Sequence, residues 1–402
     1  MAKSPAAVHQ SALIIDGHAD TTGRLLDEDF DLANPPANDD GHFDFNKAKK
    51  GNVGAQFFSI WVDPVKHKGQ YAHKAFAQID AVLMQAEKHP SKVTMAYSSA
   101  DILKIYKQKK LAALIGVEGG HAIENDIRIL RDFYRLGARY MTLTWSNTNE
   151  WADSSGDIND EKVPHHNGLT QFGREIVREM NRLGMLVDIS HVSDRAFYNT
   201  LTITRAPVIA SHSSARALTD HSRNMTDDML RAMKENGGVV MVNFYSTFID
   251  DDFRKAYAAQ AKERNAAMKE VRERLKETDT ITQTVEYEKA SKEWAAKIPR
   301  PPLKALIDHI DHIAKIAGID HVGLGSDFDG VSSLPQEIDS AADLPKITAE
   351  LMKRGYSAAD MHKILGGNFM RVFRAAEAMS RQMKAEGEPM PLLPKKAVAT
   401  KQ

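Results

Sequence analysis

The sequence contains no cysteine, which excludes disulfide bonds and thiolate metal ligands. It contains no apolar run long enough to cross a membrane as a helix. Its 53 Lys and Arg residues nearly balance its 54 Asp and Glu residues, and the formal net charge is −1. No global field therefore attracts nucleic acid or an anionic membrane. We expect neither a nucleic-acid partner nor a membrane segment.

The first ten residues, MAKSPAAVHQ, lack the apolar core of a signal peptide. We therefore expect a soluble protein, located in the cytoplasm or, after removal of a leader, in the periplasm. Hydrophobic residues make up 42% of the chain and charged residues 27%, a composition typical of a folded globular protein. A chain of 402 residues can form one large α/β barrel or two ordinary domains.

Short apolar segments recur along the chain, and each is followed by a longer segment with helical periodicity. Most are continuously apolar, which is typical of strands buried on both faces of a parallel sheet. Eight such units predict a (β/α)8 TIM barrel, because the competing doubly wound sheet lacks a glycine-rich phosphate turn here. The predicted strands are 12–15, 54–61, 112–117, 139–145, 185–189, 207–210, 238–244 and 321–325.

We predict one catalytic barrel domain over residues 1–385, followed by a flexible tail at 386–402. Residues 24–46, rich in Asp, Asn and Pro, are expected to form an irregular excursion after the first strand. Residues 247–302, after the seventh strand, form a highly charged helical insertion in this prediction. A solvated helical hairpin is the simplest interpretation, and a lid or a dimer contact is the alternative.

Polar side chains stand at the carboxyl ends of five predicted strands, where the active sites of such barrels lie. A single strand-end histidine is usually only a hydrogen-bonded or surface residue. Several carboxylates collected at the mouth of one core are costly without a cation, so the set together predicts a metal site. The residues are His18 and Asp20, Glu118, His191, His212, and finally Asp327 with Asp329.

Imidazole and carboxylate ligands without thiolate suit zinc or another first-row divalent ion. One catalytic zinc needs three protein ligands and a water, fewer than the candidates here. A bridging carboxylate can serve two ions about 3.5–4 Å apart that share a hydroxide. Glu118 is the candidate bridge, because its strand lies between the two groups of ligands in barrel order.

Six motifs together resemble the membrane dipeptidase (renal dipeptidase) family of zinc metallopeptidases, within the amidohydrolase-like superfamily. The resemblance extends from about Asp16 to Phe373, and the spaced set is far more specific than any single motif. The motifs are DGHAD, GVEGGHAI, NRLGMLVDISHVS, RAPVIASHSSARAL, HSRNM and GLGSDFDGV.

The resemblance implies a barrel with two Zn²⁺ ions. One would be held by His18 and Asp20 and the other by His191 and His212, with Glu118 bridging them. It also implies hydrolysis of dipeptides, including L-Xaa-D-Xaa, by attack of a metal-bridging hydroxide, and it suggests a homodimer.

The resemblance further gives roles to two residues near the metals. Arg223 in HSRN would bind the free carboxylate of the substrate, which would limit the substrate to two residues. Asp327 would take the proton from the nucleophile and pass it to the leaving amine. Tyr245, at the end of the seventh strand, is a further candidate for lining the substrate pocket.

The chain departs from the family at the end of the fourth strand, where TLTH is usual and TLTW stands here. Trp145 can donate one hydrogen bond but cannot accept one or become cationic. It either donates to the oxyanion or only shapes the pocket. The departure leaves two alternatives open: an amidohydrolase-type enzyme acting on a lactam, an N-acyl amino acid or an ester, and a catalytically impaired barrel used for binding.

Overall fold

The computed structural model describes residues 4–390. Its parallel strands are β1 Ile14–Ala19, β2 Val53–Trp61, β3 Val93–Met95, β4 Leu111–Glu118, β5 Ala138–Thr142, β6 Leu186–Asp188, β7 Ile209–Ala210, β8 Val239–Val242 and β9 Val322–Leu324. Eight of them close into a ring in the order β1-β2-β4-β5-β6-β7-β8-β9, and the pair Asp16–Leu324 joins the last strand to the first. The predicted TIM barrel is confirmed.

Some strand limits differ from the prediction. β1 was expected at 12–15 and instead runs from Ile14 to Ala19, so His18 lies inside the strand. β7 is only two residues long. β3 was not predicted; it pairs with the start of β4 outside the ring, and three residues are too few to display a periodic pattern.

Helices surround the ring: α1 Pro5–Ser11, α2 Thr21–Asp27, α3 Phe45–Lys50, α4 Tyr71–Lys88, α5 Ser99–Lys107, α6 Ile127–Leu136, α7 Gln171–Leu183, α8 Asp194–Ile203, α9 Asp227–Asn236, α10 Ser246–Ile249, α11 Asp251–Ala259, α12 Ala261–Leu275, α13 Thr280–Ala295, α14 Leu303–Ala317, α15 Leu344–Lys353, α16 Ala358–His362 and α17 Asn368–Ala385. Short 3₁₀ turns occupy Gly120–Ile123, Ile319–His321 and Ala341–Asp343, and a π-helical turn spans Lys363–Gly367. Glycines end two of these helices: Gly184 after α7 and Gly237 after α9 adopt left-handed φ angles of 86° and 79°.

The predicted helical insertion consists of α10 to α13, which follow β8. Helices α12 and α13 pack against each other. The two ends of the insertion meet in a small apolar cluster that is separate from the barrel core and consists of Phe253, Ala295 and Ile298. The segment therefore adds to the carboxyl-terminal mouth of the barrel, and Ile249 of α10 joins it to the barrel core.

Two further observations concern the chain ends and membranes. Helix α17 ends at Ala385, and of the predicted tail only 386–390 lie within the described residues. Between residues 4 and 390, no helix is long and apolar enough to cross a membrane.

Gly17 shows why the first strand can carry functional side chains so close to its neighbours. A Cβ atom at this position would come within 2.5 Å of Met241 Sδ and 2.7 Å of the Ser211 carbonyl oxygen. Only glycine lets β1 approach β8 and the end of β7 this closely. The close approach brings His18, the next residue, against His212.

Candidate active site

His18 and Asp20 lie at the end of β1. His18 is fully buried, whereas Asp20 begins α2 and its side chain is 21% exposed. The His18 Nε2 atom is 3.4 Å from Asp20 Oδ2 and 3.3 Å from Glu118 Oε2. This Nε2 atom is buried and forms no hydrogen bond among the described residues. A buried polar nitrogen that faces two carboxylates therefore lacks a hydrogen-bond partner.

Glu118, the last residue of β4, faces both groups of histidines. Its Oε2 atom is 3.3 Å from His18 Nε2 and accepts a hydrogen bond of 3.0 Å from Ser59 Oγ. Its Oε1 atom is 2.9 Å from His191 Nε2 and 3.4 Å from His212 Nε2. Each carboxylate oxygen thus faces a different set of imidazoles.

His191 and His212 follow the short strands β6 and β7. Their Nε2 atoms are 2.9 Å apart, and the rings of His18 and His212 stack at 3.9 Å. His191 leaves the strand with a left-handed φ of 67°, an uncommon and costly conformation for a residue other than glycine. Three imidazoles therefore converge on one carboxylate.

The hydrogen bonds behind two of these imidazoles leave their Nε2 atoms free of protons when the rings are neutral. The Tyr140 hydroxyl donates to the Gly17 carbonyl at 3.2 Å, so His18 Nδ1–H donates to the hydroxyl oxygen at 2.9 Å. The Ser211 hydroxyl donates to Asp188 at 2.6 Å, so His212 Nδ1–H donates to Ser211 Oγ at 2.8 Å. In both rings the Nε2 lone pair points into the cluster, as a metal ligand requires.

The charge states of His191 and Glu118 also favour the binding of a cation at this cluster. Burial, with the charge of Arg223 adding to it, lowers the pKa of His191 to about 3, so this ring is neutral. Burial acts to raise the pKa of Glu118, but the charge of His18 and the neighbouring imidazoles hold it well below its usual value. The Glu118 carboxylate, ionised beside the neutral imidazoles of His191 and His212, offers the donor types of a divalent ion. Two overlapping groups have the spacing to hold an ion: His18, Glu118 and His212, and His18, Asp20 and Asp327.

Arg223 lies at the His212 side of the site and is buried. It donates to the His212 carbonyl at 3.1 Å and to Ser213 Oγ at 3.4 Å, while its Nε is buried without a partner. Burial lowers its pKa to about 10, which still leaves the guanidinium charged at neutral pH. No carboxylate among the described residues lies within ion-pair distance of it. A buried, uncompensated guanidinium of this kind is suited to an anionic group of a ligand.

Asp327 follows β9 with a left-handed φ of 64° and accepts a 2.8 Å hydrogen bond from Asn243 Nδ2. Burial raises its pKa to about 7, and the nearby charges of Asp20 and Glu118 add to that rise against the opposing charge of His18. A carboxyl group that titrates near neutrality can both take up and release a proton.

Trp145 and Tyr245, the two other predicted pocket residues, also line the cavity. The Trp145 ring packs on Trp61 at 4.9 Å and lies 6.3 Å from the His191 ring. The Tyr245 hydroxyl is 3.4 Å from Ser332 Oγ, and its ring packs edge-on against Phe248. Both residues contribute walls beside the cluster rather than contacts within it.

A cavity of about 760 Å³ opens onto the cluster. All the predicted site residues line it except His18, which lies beneath its floor. The insertion supplies part of the wall: Arg272, Leu275, Lys276, Gln283, Tyr287 and Glu288 from α12, α13 and the turn between them all face this space. The insertion is therefore positioned over the site, as a lid would be.

Sequence reasoning missed the residues that orient the ligands. Tyr140 in β5 reads as a core aromatic, and Asp188 at the end of β6 reads as a polar strand end. Other polar side chains near the site have structural partners. Asp16 accepts from the Ser326 amide and hydroxyl, and Asp329 accepts from Thr21 and the His42 amide. His121 instead contacts the Val62 carbonyl at 2.8 Å.

The comparisons with known proteins agree with this geometry. The model of the family described as "Membrane dipeptidase (Peptidase family M19)" matches residues 3–387. The chain belongs to the membrane dipeptidase family. It is thus a member of a family of dipeptide-hydrolysing metallopeptidases, and the family implies a metal cofactor.

Two curated dipeptidases are similar to this chain over most of their length. Dipeptidase tcpJ from Claviceps purpurea is 34% identical over 352 residues, which cover 86% of this chain and 71% of that protein. Dipeptidase verJ from Clonostachys rogersoniana is 34% identical over 359 residues, which cover 87% and 79%. The crystal structure of the probable dipeptidase PvdM from Pseudomonas aeruginosa superposes with a TM-score of 0.75 at 26% identity, covering 93% of this chain and 98% of that one.

Proposed function

We propose that this M19 protein is a binuclear zinc dipeptidase. His18 and Asp20 would hold one ion and His191 and His212 the other, with Glu118 bridging the two. The observation that carries the proposal is the division of the Glu118 carboxylate, whose Oε2 faces His18 while Oε1 faces His191 and His212. A carboxylate that faces two ligand sets is suited to two ions and exceeds what one needs.

The substrate class follows from the two charged groups beside this cluster. Arg223 has no carboxylate partner among the described residues and would bind the free carboxylate of a dipeptide. A peptide with a second residue after the scissile bond would place its carboxylate beyond the reach of Arg223. Dipeptides with a D-residue at the carboxyl terminus, L-Xaa-D-Xaa, belong to the proposed range because the family resemblance implies them.

The reaction is attack of water on the peptide carbon. When bound, divalent ions make such a water acidic and polarise the peptide carbonyl. Asp327 takes the proton of the attacking water and returns it to the leaving amine, a task suited to a pKa of about 7. Asn243 holds the Asp327 carboxyl in place through its hydrogen bond of 2.8 Å.

Metal analysis paired with a substrate panel tests the proposal. We expect about two zinc ions per chain after reconstitution, and hydrolysis of L-Ala-L-Ala and L-Ala-D-Ala but not of Ala-Ala-Ala. Glu118→Gln should lose bound metal and activity, whereas Glu124→Gln, an exposed carboxylate in the loop after the same strand, should lose neither. Full activity with a single ion per chain would refute the binuclear site. Equal cleavage of the tripeptide would refute the role of Arg223.

A further inference from the structure

The wall of the cavity above the cluster carries charged side chains of both signs. The guanidinium of Arg223 lies beside His212. The charges of the Asp327, Glu118 and Asp188 carboxylates raise its pKa, against the larger effect of burial. The part of the wall near β1 and α2 carries the carboxylates of Asp27 and Asp329. A dipeptide is itself a zwitterion, with an ammonium group at one end and a carboxylate at the other.

Glu288 lies on α13 of the insertion. It lines the cavity and is half-buried. Its carboxylate has no ion-pair partner within 4.0 Å and no hydrogen-bond partner among the described residues.

The charged groups around Glu288 are, in contrast, already engaged. Glu28 pairs with Arg24 at 3.1 Å, and Lys292, one turn further along α13, pairs with Asp40 at 3.0 Å. Asp329 accepts hydrogen bonds from Thr21 and from the His42 amide. The negative charge of Glu288 therefore remains available to a ligand in the cavity.

We propose that Glu288 binds the α-ammonium group of the substrate, while Arg223 binds its carboxylate. This inference rests on the proposed dipeptidase function, since it names a second contact to the same substrate. It makes the insertion a part of the substrate site, and it makes Glu288 a specificity residue that favours a free amino terminus over an acylated one.

The protonation of Glu288 without substrate agrees with this role. Burial raises the pKa of Glu288 to about 7, and the carboxylates of Glu28 and Asp329 add to the rise, while Lys292 and Arg24 oppose it. An ammonium group placed beside the carboxylate would favour its charged form. Of the other cations that line the cavity, Lys74 pairs with Asp27 at 2.5 Å, and Arg272 donates to the Tyr287 hydroxyl at 2.9 Å.

The test compares Glu288→Gln with the wild type on two substrates at about pH 8, where Glu288 is ionised. The first is L-Ala-D-Ala, and the second is N-propionyl-D-alanine, which is the same molecule without its ammonium group. If the second is not hydrolysed, its inhibition constant against the first is measured instead. The control is Glu293→Gln, an exposed carboxylate on the same helix.

We expect Glu288→Gln to lower kcat/KM for L-Ala-D-Ala by about 10- to 100-fold, mostly through KM, because one charge-assisted hydrogen bond is lost. The values for N-propionyl-D-alanine should stay unchanged, and so should both values in Glu293→Gln. An equal change for both ligands, or no change for either, would overturn the assignment. A wild-type enzyme that does not distinguish the two ligands would also overturn it. A wild type that hydrolyses no dipeptide at all would instead refute the proposed function.

Discussion

Replacing Tyr140 with phenylalanine tests the hydrogen bond that orients His18, the most buried of the proposed metal ligands. The hydroxyl accepts from His18 Nδ1 at 2.9 Å and donates to the Gly17 carbonyl at 3.2 Å. Without it, nothing fixes the proton of His18 on Nδ1, and the Nε2 lone pair is no longer reserved for a cation. Loss of such a supporting partner usually lowers metal affinity by about 10- to 100-fold, which corresponds to about 1.4–2.7 kcal/mol.

The same change should also destabilise the metal-free protein. Tyr140 is fully buried, so His18 Nδ1 and the Gly17 carbonyl lose their partner away from water, at about 1–3 kcal/mol for each group left unsatisfied. Metal affinity is measured by zinc titration against a competing chelator, and the free energy of unfolding by urea denaturation of the metal-free form.

Tyr106→Phe is the matched control, because its hydroxyl donates to the Ala12 carbonyl at 3.0 Å, just before β1 and away from the site. It should reduce stability by about 0.5–1.5 kcal/mol and leave zinc affinity unchanged. Unaltered zinc affinity in Tyr140→Phe would refute the orienting role. So would an equal loss of affinity in both variants.

Three other predictions follow from the same geometry. Arg223→Met should raise KM for dipeptides by about 10- to 100-fold, with a smaller effect on an ester of the same dipeptide, which lacks the carboxylate. Trp145→Phe should keep kcat/KM within a few-fold, because the ring packs on Trp61 as a wall; a drop of about 10²–10³ would show instead that the indole donates to the oxyanion. Asp327→Asn should gain stability relative to the wild type as pH rises from about 4 to about 7 in the metal-free protein, measured by urea denaturation. Over that window the native Asp327 keeps its proton while the unfolded chain releases it, so ionisation favours unfolding of the wild type alone; parallel pH profiles would refute the raised pKa.

The barrel and the grouping of its strand-end side chains were predictable because both follow simple rules. Continuous apolar segments give buried parallel strands, and the side chains that end them must meet at one mouth. His18, Glu118 and His212 were found in this way. Tyr140 could not be, since an aromatic residue within a buried strand looks like core packing until its hydroxyl is seen beside His18 Nδ1.

Other features depend on how distant segments fold over one another. Glu288 is one of many charged residues in a solvated-looking helix, and only the position of α13 above the cavity distinguishes it. Strand β3 was not predicted because its three residues are too few to show a periodic pattern of apolar side chains. The role of Trp145 was left open by the sequence, and the contact with Trp61 now favours the wall.

The seam between β9 and β1 has a consequence for how the protein is made. The ring closes through a short contact at Asp16, whose buried carboxylate accepts the amide and the hydroxyl of Ser326. A growing chain must therefore reach at least Ser326 before its first strand acquires its second neighbour. His18 and Asp20 are synthesised early, but about three hundred further residues are needed before the closed ring holds them in place. An ion held by these two residues, as proposed, would therefore bind only at the end of assembly.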